Sequence, residues 1–244
     1  GTLRARQADT LLLHAHKVRW LDAWPDAIEG VVVGNEVLDA MPVQLLQRTR
    51  GVWHERGVVS AGEGFAWQDR VTDLRPPVEI EGEHDYLTET HPQAEAFITS
   101  LAERLLAGRG GAAFFMDYGF PEAEYFHPQR HMGTLMCHQL HQADDNPLVA
   151  VGEKDITAHV NFTGVALAGQ SAGLNVLGYI SQAWFLLNLG LAERMAAATL
   201  AERSQAQRLI NEHEMGELFK VIGFSTSADV SALGFARGDR SHRL

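Results

Sequence analysis

Asn35, Glu36 and Asp39 follow a run of three valines, Val31 to Val33, and precede Pro42. The β-branched run reads as a strand buried on both faces, the habit of a central parallel strand. Val37 to Pro42 reads as one turn of helix, or a helix-like loop, stopped by the proline. Glu36 and Asp39 then share one side of that turn. Polar groups beyond the carboxyl end of a parallel strand lie where open α/β sheets bind ligands. Two carboxylates and an amide at such an address can orient a substrate or take a proton. A second apolar run, Ala112 to Met116, also ends in polar groups, Asp117 and Tyr118, before Gly119. A carboxylate after a strand can equally cap the next turn, and that reading stands beside the functional one for Asp39 and Asp117.

The flanking elements must hold these groups in place. Residues 3–16 read as a helix and 17–21 as a short strand ending at Asp22. Residues 43–71 break into short segments punctuated by glycine, the pattern of an antiparallel meander. Thr90 reads as the N-cap of a helix with Pro92 in its first turn and Gly108 at its end. Residues 120–161 are polar and poorly periodic but rich in histidine and aromatic residues, so they read as a long ordered loop with a function. A helix over 162–172, a strand over 175–180, helices over 183–198 and 201–218, and a closing strand over 219–224 complete the pattern.

Composition narrows the function classes. A formal net charge of −11 on 244 residues argues against general nucleic-acid binding, which needs clustered Lys and Arg. Cys137 is the single cysteine, so no internal disulfide framework exists and a reducing compartment is the default. No apolar run has membrane-spanning length, which argues against membrane insertion. Cys137, His138 and His141 invite a metal reading, but no fourth ligand is spaced to close the set, and no metal is expected. No glycine-rich G-x-G-x-x-G loop follows any strand. The opening residues read as the middle of a helix already under way, so the chain is expected to lack an amino-terminal part.

The motifs Asn35–Pro42 and Met116–Pro121 resemble those of the MidA family of S-adenosylmethionine (SAM)-dependent methyltransferases. The likeness continues through Glu124–Arg130 and Gly133–His138, is densest over Asp155–Thr163, and returns at Met215–Val221. It implies an α/β, class I (Rossmann-like) methyltransferase fold in one domain over 1–244. That domain would lack its first strands, with the meander at 43–84 inserted and the loop at 120–161 lying over the active-site face. On that fold 17–21, 31–35, 112–116, 175–180 and 219–224 would be strands three to seven, the last antiparallel.

The resemblance further implies SAM as cofactor and dimethylation of an arginine on a partner protein, a respiratory complex I subunit for the mitochondrial member. Methyl transfer from a sulfonium asks mainly for alignment and exclusion of water. A guanidinium is a poor nucleophile, and a carboxylate against it would orient one nitrogen. Glu36 is the first candidate for that role and Asp39 the second. His159 would receive a proton or position substrate, or else be a satisfied structural histidine. Asn35, Asp117, Tyr118 and Asn161 are candidate substrate contacts, with Leu3, Asp22 and Asn35 beside the cofactor. The expected setting is the cytoplasm of a bacterium or the mitochondrial matrix of a eukaryote. Two alternatives stay open: a methyltransferase for another acceptor, and a non-catalytic assembly factor on the same fold.

Overall fold

In the computed structural model, which describes residues 2–140 and 142–244, the chain opens on helix α1 (Thr2–Thr10) and a 3-10 turn over Leu12–Lys17. The single helix expected over 3–16 breaks at Leu11. Neither piece buries a residue, and without a packed apolar face local propensity does not sustain a long helix. Residues 17–21 form no strand. A strand needs a neighbour for its hydrogen bonds, whereas this segment is held to α1: Arg4 bonds Asp22 at 2.6 Å and lies over the Trp20 ring.

Strand β1 (Gly30–Asn35) comes next. The meander follows as β2 (Gln44–Thr49), β3 (Val52–Ala61) and β4 (Gly64–Val71). Strand β5 (Tyr86–Thr90) then leads into helix α2 (Pro92–Ala107). β5 was not expected, and it completes a four-stranded antiparallel sheet in the order β4-β3-β2-β5. Because Thr90 pairs with Gln44 in that ladder, the N-cap of α2 falls to His91.

Strand β6 (Gly111–Phe120) is followed by the short helix α3 (Glu122–Tyr125). The stretch read as one long loop then supplies β7 (Met136–Gln139), β8 (Gln142–Asp144) and β9 (Asp155–Thr157), which form a small three-stranded sheet. Strand β10 (Val160–Asn161) runs into helix α4 (Phe162–Ser171). Strands this short carry too little alternation to be read from sequence. Strand β11 (Asn175–Ser181), helices α5 (Gln182–Asn188), α6 (Leu191–Ala197) and α7 (Leu200–Ile210), and strand β12 (Phe219–Ser225) close the fold. The helix expected over 183–198 is split at Gly190, whose φ of +86° suits glycine and ends α5. The one expected over 201–218 stops at Ile210, and a single π turn, Glu212–Gly216, follows.

The main sheet has the order β1-β6-β12-β11, with β10 also on β6. β1 and β10 run parallel to β6, and β12 runs antiparallel to both β6 and β11. Helices α2 and α4 cover one face through Ile98, Leu101, Leu105, Phe162 and Val165, packed on Ala113, Phe115 and Phe224. Phe235 and Phe185 pack on Phe114 and Val221 on the opposite face. Val31 and Val33 project from that second face of β1 and are 66% and 65% exposed. The expectation of a strand buried on both faces is therefore corrected. Only β6 flanks β1 among the described residues, and the cover on the second face stops short of it.

Strand β6 carries the site, and its last turn of pairing depends on close backbone approach. A Cβ on Gly119 would lie 2.6 Å from the Val160 nitrogen and collide with the Val160 carbonyl. Gly119→Ala is expected to cost about 2 kcal/mol through overpacking. Urea unfolding checks this: an unchanged midpoint would refute the close packing of β10 on β6.

Candidate active site

Two strands share one edge of β6. β1 pairs with it as far as Asn35 opposite Met116, and β10 takes over at Gly119 and Phe120. Asp117 falls in the fork between them. Its Oδ2 accepts the backbone N–H groups of Val37 (3.2 Å), Leu38 (2.9 Å) and Asp39 (3.3 Å), while Oδ1 accepts the N–H of Tyr118 at 3.0 Å. Burial, and next the nearby Asp39 carboxylate, push the Asp117 carboxyl up to about 7 against the pull of these bonds. Asp117 thus holds the turn after β1, which is the capping alternative read in the sequence.

Held in this way, the turn aims Asp39 at β6. The Tyr118 hydroxyl donates to Asp39 Oδ2 at 2.5 Å, while Asp39 Oδ1 is buried without a partner among the described residues. Burial, then the hydrogen bond to Asp39, raise the Tyr118 phenol, so it stays a donor. The His159 ring meets the Tyr118 ring edge-on with centroids 5.3 Å apart, and its buried Nδ1 also lacks a partner. Burial, and secondarily Arg130, push the His159 imidazole down to about 4, so it is neutral at neutral pH.

Glu36, Asp39, Tyr118 and His159 come together around a cavity of about 420 Å³. Asp155, Thr157 and Phe219 also line it. Three carboxylates face this space, and no Lys or Arg does among the described lining residues. Glu36 is exposed at the rim with φ +49°, a left-handed conformation unusual for its residue type, and its carboxylate accepts the Asn35 amide N–H at 3.2 Å.

The remaining predicted residues sit elsewhere. Asn161 caps α4, its Oδ1 accepting the Gly164 N–H at 3.3 Å. Leu3 is 64% exposed on α1, and Asp22 is paired with Arg4; neither lines the cavity. On β7 Cys137 is buried, whereas His138 is exposed and does line the cavity; His141 lies outside the described residues.

Sequence reasoning missed the group that anchors the far wall. Glu89 on β5 is fully buried; Oε1 accepts the N–H groups of Thr134 (2.7 Å) and Leu135 (3.1 Å), and Oε2 accepts the hydroxyls of Tyr125 (2.9 Å) and Thr134 (3.1 Å). Thr134 Oγ1 in turn accepts the His159 N–H at 3.0 Å. His91 Nε2 lies 3.1 Å from the Tyr125 hydroxyl, and burial pushes His91 down to about 4. The available signal was Gly133-Thr134 inside a family motif. A side chain at Gly133 would meet Glu89 Oε1 at 2.6 Å.

A family model described as "Putative S-adenosyl-L-methionine-dependent methyltransferase" matches residues 1–180. The chain belongs to this MidA-type methyltransferase family. It is 29% identical over 227 residues to the zebrafish (Danio rerio) mitochondrial protein arginine methyltransferase NDUFAF7, covering 86% of this chain and 51% of that one. The Drosophila melanogaster homologue is likewise 29% identical over 228 residues, covering 84% and 50%. The chain therefore spans about half the length of the curated relatives it matches. A Burkholderia thailandensis protein crystallised with S-adenosyl-homocysteine superposes with a TM-score of 0.90 at 47% identity, covering 100% of this chain and 66% of that one. A native crystal structure from the same bacterium gives 0.92 at 48%, covering 99% and 68%. The fold is that of the class I, Rossmann-like methyltransferases.

Two predictions follow the geometry of this family member. Glu89→Ala would leave two buried N–H groups without an acceptor, and a loss of about 3 kcal/mol is expected. Thermal unfolding within a degree of wild type would refute the anchoring role. His91 binds a proton less readily folded than unfolded. Its contribution is therefore complete above pH 6.5 and is lost as pH falls toward about 4, by at most about 3 kcal/mol. Chemical denaturation at pH 7 and pH 4.5 should show a smaller acid loss for His91→Gln than for wild type; equal losses would exclude His91 as the source.

Proposed function

We propose that this cavity presents an arginine side chain of a partner protein for methylation by SAM, with Asp39 orienting the guanidinium. The observation that carries the reading is Asp39, a carboxylate lining the cavity with one oxygen fixed by Tyr118 and the other buried in the wall without a partner. A guanidinium offers several N–H donors in a rigid fork, and one of them completes Asp39. Three carboxylates and, among the described lining residues, no Lys or Arg favour a cation. The names of the zebrafish and fly relatives support arginine as that cation.

The cofactor, when bound, supplies an electrophilic methyl group on a sulfonium. The residues here fit that cationic end: Asn35 and Glu36 close the carboxyl end of β1, and the Glu36 carboxylate faces the cavity.

In this mechanism Asp39 fixes one nitrogen of the acceptor and draws positive charge toward itself, leaving another nitrogen free to attack. His159, neutral and half-buried, positions the guanidinium through Nδ1; an imidazole pushed down to about 4 is too weak a base to keep the released proton. The released proton passes to solvent at the rim of the cavity, where Glu36 is exposed. Phe219 and the Tyr118 ring exclude water from the acceptor's other side. A second round on the same side chain gives the dimethylated product. The partner is taken to be a respiratory complex subunit, after the mitochondrial members the motifs resemble. The setting would be the cytoplasm of a bacterium or the mitochondrial matrix.

Asp39→Asn keeps the shape and the bond to Tyr118 but removes the charge. It should lower the turnover number by about 100-fold or more, with SAM affinity by calorimetry little changed. Labelled-methyl transfer to arginine, lysine and citrulline peptides measures this. Wild-type turnover in Asp39→Asn would refute its role, and transfer to lysine but not arginine would change the acceptor.

A further inference from the structure

A larger cavity, of about 580 Å³, opens beside the catalytic one and shares Asp39, Ala40 and Thr157 with it. One wall is the meander. Its register places Val58 opposite Trp67 and Leu45 opposite Arg56, so Leu45, Arg56, Val58, Phe65 and Trp67 stand on one face of the sheet. The other wall is the stretch after β8, with Leu148, Val151 and Ile156.

The groove is chemically distinct from its neighbour. Its lining is largely apolar, and Val58, Phe65, Val151 and Ile156 are between 44% and 57% exposed. Arg56, which also faces it, is tied bidentately to Asp69, with both bonds at 2.8 Å, so this cation is already neutralised. The floor is the segment from Asp39 to Leu45. Apolar groups bound here would therefore be chain neighbours of a side chain reaching Asp39. Facing apolar walls that open next to a carboxylate have the lining of a ligand site, where apolar surface is covered when the ligand binds.

We infer that this groove binds the acceptor protein itself, as an extended segment whose large apolar residues adjoin the methylated arginine. The inference rests on the proposed function for the arginine, while the apolar subsite is new to it. Specificity then divides between the two cavities. The acidic one selects the cationic side chain, and the apolar one selects the sequence around it. An extended segment suits the space, because alternate side chains would enter the groove while the others stay in solvent.

The test uses two fluorescein-labelled peptides of equal length and charge with a central arginine. One is flanked by leucine and phenylalanine, the other by serine and glycine. Fluorescence anisotropy with the full chain should show the apolar-flanked peptide binding about 10-fold tighter or more, the scale of one or two buried side chains. Val58→Asp should abolish that preference and leave the serine-flanked peptide unchanged. Trp67→Ala, which shortens the same wall without adding charge, should weaken it in the same direction. Equal affinities, or no binding of either peptide, would overturn the inference. So would sedimentation showing a wild-type dimer that Val58→Asp dissociates, because a second copy would then fill the groove. Repeating the assay with citrulline in place of arginine separates the two claims. A flank preference that survives citrulline with no loss of absolute affinity supports the groove while removing arginine as the acceptor, whereas weaker binding of both arginine peptides to Asp39→Asn with the preference intact supports both.

Discussion

One oxygen, Asp117 Oδ2, takes the N–H groups of three consecutive residues, and the geometry of the site descends from it. β1 must leave β6 at Asn35 so that β10 can pair with the same strand two residues beyond Asp117. The chain that leaves exposes backbone donors with no ladder partner, deep in the protein. An unpaired buried N–H costs about 1–3 kcal/mol, so the fork could not persist without an acceptor reaching all three. A carboxylate is the short side chain with enough lone pairs to do so. Once the turn is fixed, the direction of Asp39 is fixed with it, and the bond from Ala158 N–H to Asp39 O at 3.0 Å joins the turn to the segment bearing His159.

The opposite wall is held by the same device. Glu89 gathers four donors from Tyr125, Thr134 and Leu135, and Thr134 passes the constraint to the backbone of His159. Low polarity strengthens each of these bonds and makes each failure costly. The two carboxylates act on different sheets, Asp117 on the main sheet and Glu89 on the meander, so the cavity is fixed from both sides. This explains how stretches with little secondary structure of their own, such as 126–135, can carry parts of a site with defined geometry.

Much of this was legible in the residues. Valine and aromatic runs ending in acids located both β1 and β6, and the family motifs located Tyr118 and His159. The spacing of Glu36 and Asp39 placed them on one turn. The resemblance put Glu36 first and Asp39 second, but which of them faces inward depends on where Asp117 pulls the backbone. Glu89 was invisible for a similar reason. A lone acid in a five-residue strand looks the same whether it meets solvent or four donors from residues 36 to 46 positions away. The missing strand at 17–21 shows the converse, for a short segment with strand-forming residues becomes a strand only where a neighbouring edge receives it.

The distribution of strain argues for the inner carboxylate as the working one. Glu36 sits at φ +49° and Asp39 keeps a buried oxygen without a partner, two costs of about 1–3 kcal/mol each placed within four residues. A sequence under selection for stability alone would relieve the second by substituting a smaller or apolar residue. Tyr118 instead binds the other oxygen of Asp39 and thereby holds the free one in place. An acceptor held in position before its ligand arrives need not reorganise when the ligand binds, and that is where electrostatic preorganisation is most effective. The donors on Asp117 and Glu89 offset the cost from both sides, so the stabilising bonds lie around the cavity and the unsatisfied oxygen is buried in its wall.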